Sequence, residues 1–215
     1  MNTQSSPQER GASREALIRA ARELIVTRSF DNVGIAEICE HAGVRKGSLY
    51  HFFPGKDALA LAMLDALYGE FEREVVIPSL TGPGPLKHRL DAFIGAVHAF
   101  QARVQSETGH LPGCPFGNLA VETASRNEAL RAAAQGHLNA LAAHFRNALE
   151  EAVAAGELPA GTDTGAAAER WLALMEGILV LARTEQDPGT ILRLGPVLAP
   201  LLQCPSPPEP ETCDD

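Results

Sequence analysis

Between residues 86 and 107 the apolar side chains Leu86, Leu90, Phe93, Ile94, Val97, Phe100 and Val104 recur every three or four positions. That spacing puts all of them on one face of an α-helix and suits no strand. The same period runs through most of the chain, and no run of β-branched residues competes with it. Alanine and leucine, both good helix formers, supply the bulk of the 45% apolar residues, whereas aromatics make up only 5%. The expected fold class is therefore all-α, with about nine helices. A chain of 215 residues can bury one good core, or a core and a small satellite.

Short helices come first. Residues 13–29 read as a helix capped by Ser13, with Leu17, Ile18, Ala21, Leu24 and Ile25 on one stripe. "FDNVG" interrupts it, and residues 35–42 form a second short helix with Ile35, Ile38, Cys39 and Ala42 inward. Gly43 supplies the positive φ of a tight turn and Val44 plugs the corner. A third helix, 45–53, carries Leu49 and Phe52 inward, and Pro54-Gly55 stops it. A long helix then runs from Lys56 to Val76, with Pro78 and "TGPGP" as the following loop. Helices follow at 86–107, about 117–125, 127–155, 163–186 and 189–203. The tail 205–215 is proline-rich and acidic, a composition expected to be disordered.

Charge divides the chain unevenly. The total is -9, yet residues 8–56 hold eight Lys/Arg against six Asp/Glu, whereas residues from 57 onward hold ten against twenty-one. Cations held near phosphates gain from counterion release, and an acidic body is repelled by them. The stretch "GVRKGSLYHFFPGK" (43–56) concentrates the basic chemistry: three cations and no carboxylate. Short helix, glycine turn, short helix, with a third helix as brace, is helix-turn-helix geometry, whose second helix enters the major groove. Arg45 and Lys46 can reach guanine edges or phosphates, Gly47 lets backbone approach, and Ser48, Tyr50 and His51 offer hydrogen-bonding tips. Lys56 opens the next helix where a phosphate would pass.

"VGIAEICEHAGVRKGSLYHFFPGKDALA" closely resembles the DNA-binding domain of the TetR (tetracycline-repressor) family of transcriptional regulators. The family pattern falls on Ile38, Ala42, Gly43, Val44, Gly47, Leu49, Tyr50, Phe53 and Lys56, within a match spanning about residues 13–60. The resemblance implies a homodimeric repressor, an all-helical effector domain and operator release on ligand binding. It also implies that Tyr50 and Lys56 hold phosphates while Arg45, Lys46, Ser48 and His51 face the groove. Gly34 departs from the pattern, which usually has a Ser or Thr cap there. The expected organisation is a DNA-binding domain over 8–56 and an effector and dimerisation domain over 57–204. The loop "GCPFGNLAVE" (113–122) is similar to a branch responding to small electrophilic or unsaturated compounds.

Within the effector domain, Phe93, Val97, Cys114, Phe116, His137, Leu141, Trp171 and Met175 are the candidate pocket residues. Cys114 near a helix N-terminus would gain thiolate character from the dipole; as a buried free cysteine it would be a small hydrophobe. His98, His137 and His144 lack the i, i+4 spacing of helical zinc ligands, so no metal is expected, and no cofactor. Cys39, Cys114, Cys204 and Cys213 form no Cys-x-x-Cys pair, which suits a reducing compartment. No apolar run reaches membrane-spanning length and the first twelve residues lack a leader's apolar core, so a cytoplasmic location is expected.

Neither a phosphate-binding loop nor Gly-x-Ser-x-Gly, His-Glu-x-x-His or Gly-x-Gly-x-x-Gly occurs, and no enzymatic role is expected. Residues 163–203 carry apolar stripes, including Leu172, Leu179, Ile191, Leu194, Leu198 and Leu202, that serve either an internal core or a four-helix homodimer interface. Two functional classes remain: a ligand-released DNA-binding repressor, and a helical small-molecule-binding or scaffold protein that leaves DNA alone.

Overall fold

The computed structural model describes residues 7–198, with side chains from residue 11 onward. The tail 205–215, Cys204, Cys213, Leu202 and the end of the last expected helix lie outside the described residues. Those residues form nine helical rods: α1 (Pro7–Arg28), α2 (Ile35–His41), α3 (Lys46–Phe52), a composite α4, α5 (Leu86–Thr108), α6 (Pro115–Thr123), α7 (Glu128–Ala154), α8 (Thr164–Glu185) and α9 (Gly189–Leu194). The fourth rod joins Lys56–Phe71 through a π-helical turn, Glu72–Val76, to Ile77–Leu80. No strand occurs among the described residues.

Several expected boundaries move. Ser13 does not cap α1, which begins at Pro7; proline fits a first turn because its missing N–H would be unpaired there. Pro78 does not end α4. A proline ring inside an α-helix collides with the carbonyl four residues back. Here the turn just ahead of it widens, with the Ile77 amide reaching back to the Glu72 carbonyl, and the rod continues to Leu80. Residues 189–194 give way to a 3-10 turn, Gly195–Val197, before the described chain ends.

In the N-terminal unit, α1 braces α2 and α3 and also packs along α4. Gly43 has φ 64, as the turn requires, and Val44 is half-buried against the core. Leu49 is fully buried, but its companion is Phe53, 4% exposed, and not Phe52 as expected. The chain leaves the helix at Phe53, which turns that ring inward and leaves Phe52 half-buried. Gly34 caps α2 without any side-chain hydrogen bond.

The larger body is built on α7, which contacts α4, α6 and α8, while α9 closes over α5 and α8. Its centre is aromatic: Phe93, Phe145 and Trp171 meet with ring centroids 3.9–5.3 Å apart. Such a cluster gains beyond the area it buries. Arg89, though charged, is 6% exposed. Its guanidinium donates to the carbonyls of Leu80 and Ala148 and to Glu151, fastening the end of α4 to α7.

Candidate functional site

The first candidate surface is α3. Arg45, the N-cap residue, and Lys46, Gly47, Ser48, Tyr50 and His51 are all exposed, Tyr50 by 50%. The side chains of Arg45, Lys46, Ser48 and Tyr50 make no hydrogen bond or ion pair among the described residues, while the His51 ring meets the Phe52 ring edge-on. Neighbouring charged groups are engaged otherwise: Arg22 pairs with Glu70, Arg28 with Glu37, and His41 with Glu23. A polar face held in place by Leu49 and Phe53, but with its own groups unspent, can bind an external partner.

Lys56 is placed differently from its expected neighbours. Half-buried, it donates to the Phe30 carbonyl and lies 4.1 Å from the Phe30 ring centroid. Burial holds its pKa below the ordinary lysine value, against the opposing pull of Asp31, Glu122 and Asp57. In this arrangement its ammonium is committed to the loop after α1.

That loop is also gripped from the other domain. Glu122, near the end of α6, accepts hydrogen bonds from the amides of Phe30 (3.0 Å) and Asp31 (2.8 Å), and Arg126 pairs with Asp31 at 2.6 Å. Asn127 adds a bond to Asp57 at the start of α4. Glu122 was not legible as a functional residue, because its partners are backbone groups about ninety positions away.

The other end of α6 borders the second candidate site, a cavity of about 40 Å³. By volume it has room for about three waters. Of the expected pocket residues, Phe93, Val97, Cys114, Phe116, Leu141 and Met175 line it, together with Leu67, Phe71, Phe100, Gln101 and Glu176. Trp171 does not: it is packed against Phe93 and Phe145, its indole N–H without an acceptor. His137 also stands outside, stacked on Tyr68 (4.9 Å) and near Asp65 (3.1 Å). His144 contacts Glu72 (2.9 Å). His98 belongs to no group that could hold a metal, and no such group occurs among the described residues.

Cys114 is the N-cap of α6, its sulfur accepting from the Gly117 amide at 3.3 Å. Of the two readings of Cys114, the structure fits the buried small hydrophobe. Burial pushes the thiol well above its ordinary value and the charge of Glu176 pushes it further; the amides of Gly117 and Phe116 pull back only in part. Gly113 just before it has φ 68, and Gln101 pairs with both its carbonyl (3.0 Å) and its amide (3.2 Å). A Cβ at Gly113 would lie 3.3 Å from Arg183 and the Leu179 carbonyl, so a side chain there would be crowded as well as strained in conformation.

A further face is apolar and uncovered. On α8 and after it, Leu174, Val180, Leu181, Leu192 and Val197 are 40–59% exposed. The residues expected to form this stripe sit elsewhere: Leu179, Ile191 and Leu198 are buried in the subunit's own core, and Leu172 and Leu194 are half-buried. Their stripes face α5 and α7, and the neighbouring helical positions point out. Among the described residues no helix is long and apolar enough to cross a membrane.

Comparison with known proteins agrees with both halves of the chain. The family model described as bacterial regulatory proteins, tetR family, matches residues 17–63, and the tetracyclin repressor-like C-terminal domain matches residues 87–194. Transcriptional regulator AcuR of Cereibacter sphaeroides is 33% identical over 174 residues, covering 81% of this chain and 78% of that one. The HTH-type transcriptional repressor NemR of Escherichia coli is 28% identical over 140 residues, covering 64% and 67%. Among solved structures, the regulatory protein TetR from Rhodobacter sphaeroides superposes with a TM-score of 0.75 at 29% identity, covering 86% of this chain and 96% of its own. The reduced form of Escherichia coli NemR superposes at 0.76 with 23% identity, covering 90% and 100%, a likeness of fold. With an exposed α3, an all-helical body and relatives of this kind, the chain belongs to the tetR family of bacterial regulatory proteins and is a DNA-binding transcriptional regulator.

Proposed function

We propose that this regulator is a repressor that binds a palindromic operator as a homodimer and leaves it when a small molecule enters the cavity beside Cys114. The reading rests above all on Arg45, Lys46, Ser48 and Tyr50: exposed, unpartnered and mounted on a short helix, beside a body of opposite charge. Each subunit would lay α3 in one major-groove half-site, with Tyr50 on a phosphate. Lys56 could join it only by leaving Phe30. The unit over 8–56 reads DNA and the body over 57–204 binds effector and partner. The scaffold alternative predicts no DNA binding even at low salt. A gel-shift titration on the DNA flanking the protein's own gene, repeated across salt concentrations, decides between them; steep salt loss supports the repressor.

Dimerisation is assigned to the exposed face of α8 and α9 within residues 163–203. Placing a charge there, as in Leu181→Asp, should give monomers by light scattering and weaken operator binding by at least about 100-fold. Unchanged mass would remove the interface from that face.

The signal has two routes out of the cavity. One is α4, which runs from Lys56 past Leu67 and Phe71 in the cavity wall. The other is α6, capped by Cys114 at one end and holding the Phe30–Asp31 amides through Glu122 at the other. An effector releases DNA only by binding the released form more tightly than the DNA-competent one.

A further inference from the structure

The 40 Å³ cavity has a polar edge of unusual sign. No Lys, Arg or His lines it, so nothing in its wall could neutralise an anion. Its single ionisable carboxyl is Glu176, half-buried on α8, which accepts from the Cys114 thiol. The carboxylate lies against the first turn of α6: a Cβ on Gly117 would sit 2.5 Å from its Oε2. Burial raises Glu176 above its ordinary value, and the thiol only partly offsets this. The remaining wall is apolar and aromatic, with Phe71 edge-on to both Phe93 and Phe100.

Glu176 has a second exposure. Together with Cys114 and Pro115 it also lines an open groove of about 740 Å³ between α1, α4, α6 and α8. These three residues therefore border both the groove and the cavity. The groove's charged groups are Asp31, Glu122 and Glu176 against Arg183, an excess of carboxylate.

We infer that Glu176 is the head-group anchor of the effector site, and that the effector is a small, mainly apolar molecule bearing one cationic or hydrogen-bond-donating head and no carboxylate. The inference rests on the cavity being the effector site. A protonated amine would replace the Cys114 thiol as the partner of Glu176 while its tail separates the phenylalanines, whose faces also favour a cation. A carboxylate would be desolvated beside a carboxyl with no cation in reach.

The test uses the full-length protein and its single tryptophan, Trp171, packed against the cavity-lining Phe93. Pentylamine, pentan-1-ol and pentanoate share one tail and differ in the head. Fluorescence titrations should rank them in that order, with the amine at least about tenfold tighter than the carboxylate. Glu176→Gln, which preserves shape, should erase most of the amine's advantage. Equal response to the three heads, a preference for pentanoate, or no saturable response to any would overturn the assignment. Operator binding by the unliganded protein, measured alongside, tests the regulator reading separately. Val97→Phe fills the cavity and should abolish the amine signal; a signal that persists there puts the ligand elsewhere and overturns the cavity reading itself.

Discussion

The face of α3 and the wall of the cavity both gather the polar chemistry of this protein, and they treat it in opposite ways. On α3 the polar groups are exposed and mostly unpaired, and the chain spends only Leu49 and Phe53 on holding them in place. In the cavity wall each polar group already has a partner inside the protein: Gln101 holds Gly113, and Glu176 holds Cys114. The first arrangement suits a partner whose chemistry never changes, the phosphate and base edges of a duplex. The second suits a partner that must displace something in order to be noticed. A reader of DNA is left ready, whereas a sensor of small molecules is kept occupied.

The comparison breaks first on α3. Replacing Arg45 and Lys46 together by alanine should weaken operator binding at least about 100-fold and flatten its salt dependence, since each such contact contributes about 1–3 kcal/mol. The melting temperature should stay put, because neither side chain has a partner to lose. A lower melting temperature would show that these groups serve the fold as well as the operator.

Inside the body the opposite is expected. Arg89→Met leaves the carbonyls of Leu80 and Ala148 without their donor and should cost about 2 kcal/mol of stability, read by urea melts. Glu151 is mostly exposed and regains water, so its share of that loss is small. A loss confined to DNA binding, with stability intact, would instead make Arg89 part of the signalling path.

Glu122→Gln sharpens the link between the two regions. Two charge-assisted bonds to the Phe30 and Asp31 amides become one neutral acceptor, a change of about 1 kcal/mol. Operator affinity without effector should change by less than about tenfold, while the effector concentration needed for release should shift by a similar factor. An unshifted release curve would leave α4 as the sole route.

The smallest effect concerns acid. Glu70 on α4 bridges Arg22 of α1 and Arg103 of α5. Burial alone would raise its carboxyl, but hydrogen bonds and charge from the two guanidiniums outweigh that and hold it below the ordinary value of 4.5. The folded value is the lower one, so the stabilisation is complete above the ordinary value and is lost as pH falls from there through the folded value. Glu70→Gln should remove about 1 kcal/mol at neutral pH and flatten the acid limb of the stability profile. An identical limb in the variant would assign the acid sensitivity to other carboxylates.

Legibility followed the same division. Gly43, Leu49 and the exposed cations of α3 could be read from the chain, because a turn, a core contact and a solvated charge are set within a few residues. The stripe on α5 was equally clear, and it carried Phe93 and Val97 to the cavity wall. Phe53 was missed in favour of Phe52, since the side an aromatic faces depends on where its helix ends. Pro78 was read as a terminator because a compensating π turn leaves no mark in composition. Arg89, Gln101, Glu122 and Glu176 were all silent: their partners are backbone groups or side chains on other helices, 9 to 92 positions away. For Cys114 the position was legible but the choice between thiolate and buried hydrophobe was not, because burial and a carboxylate from α8 keep its proton.

Under the proposed function, the small volume of the cavity, about 40 Å³, bears on how much effector the cell must accumulate. On that reading, an effector that must part the phenylalanines has its apparent affinity scaled down by the fraction of molecules already open. Changes at Phe71 or Phe100 that make opening easier would lower the triggering dose while the preferred molecule stays the same. If the proposed site holds, the alarm threshold and the identity of the signal are set by different side chains, and each can drift without the other.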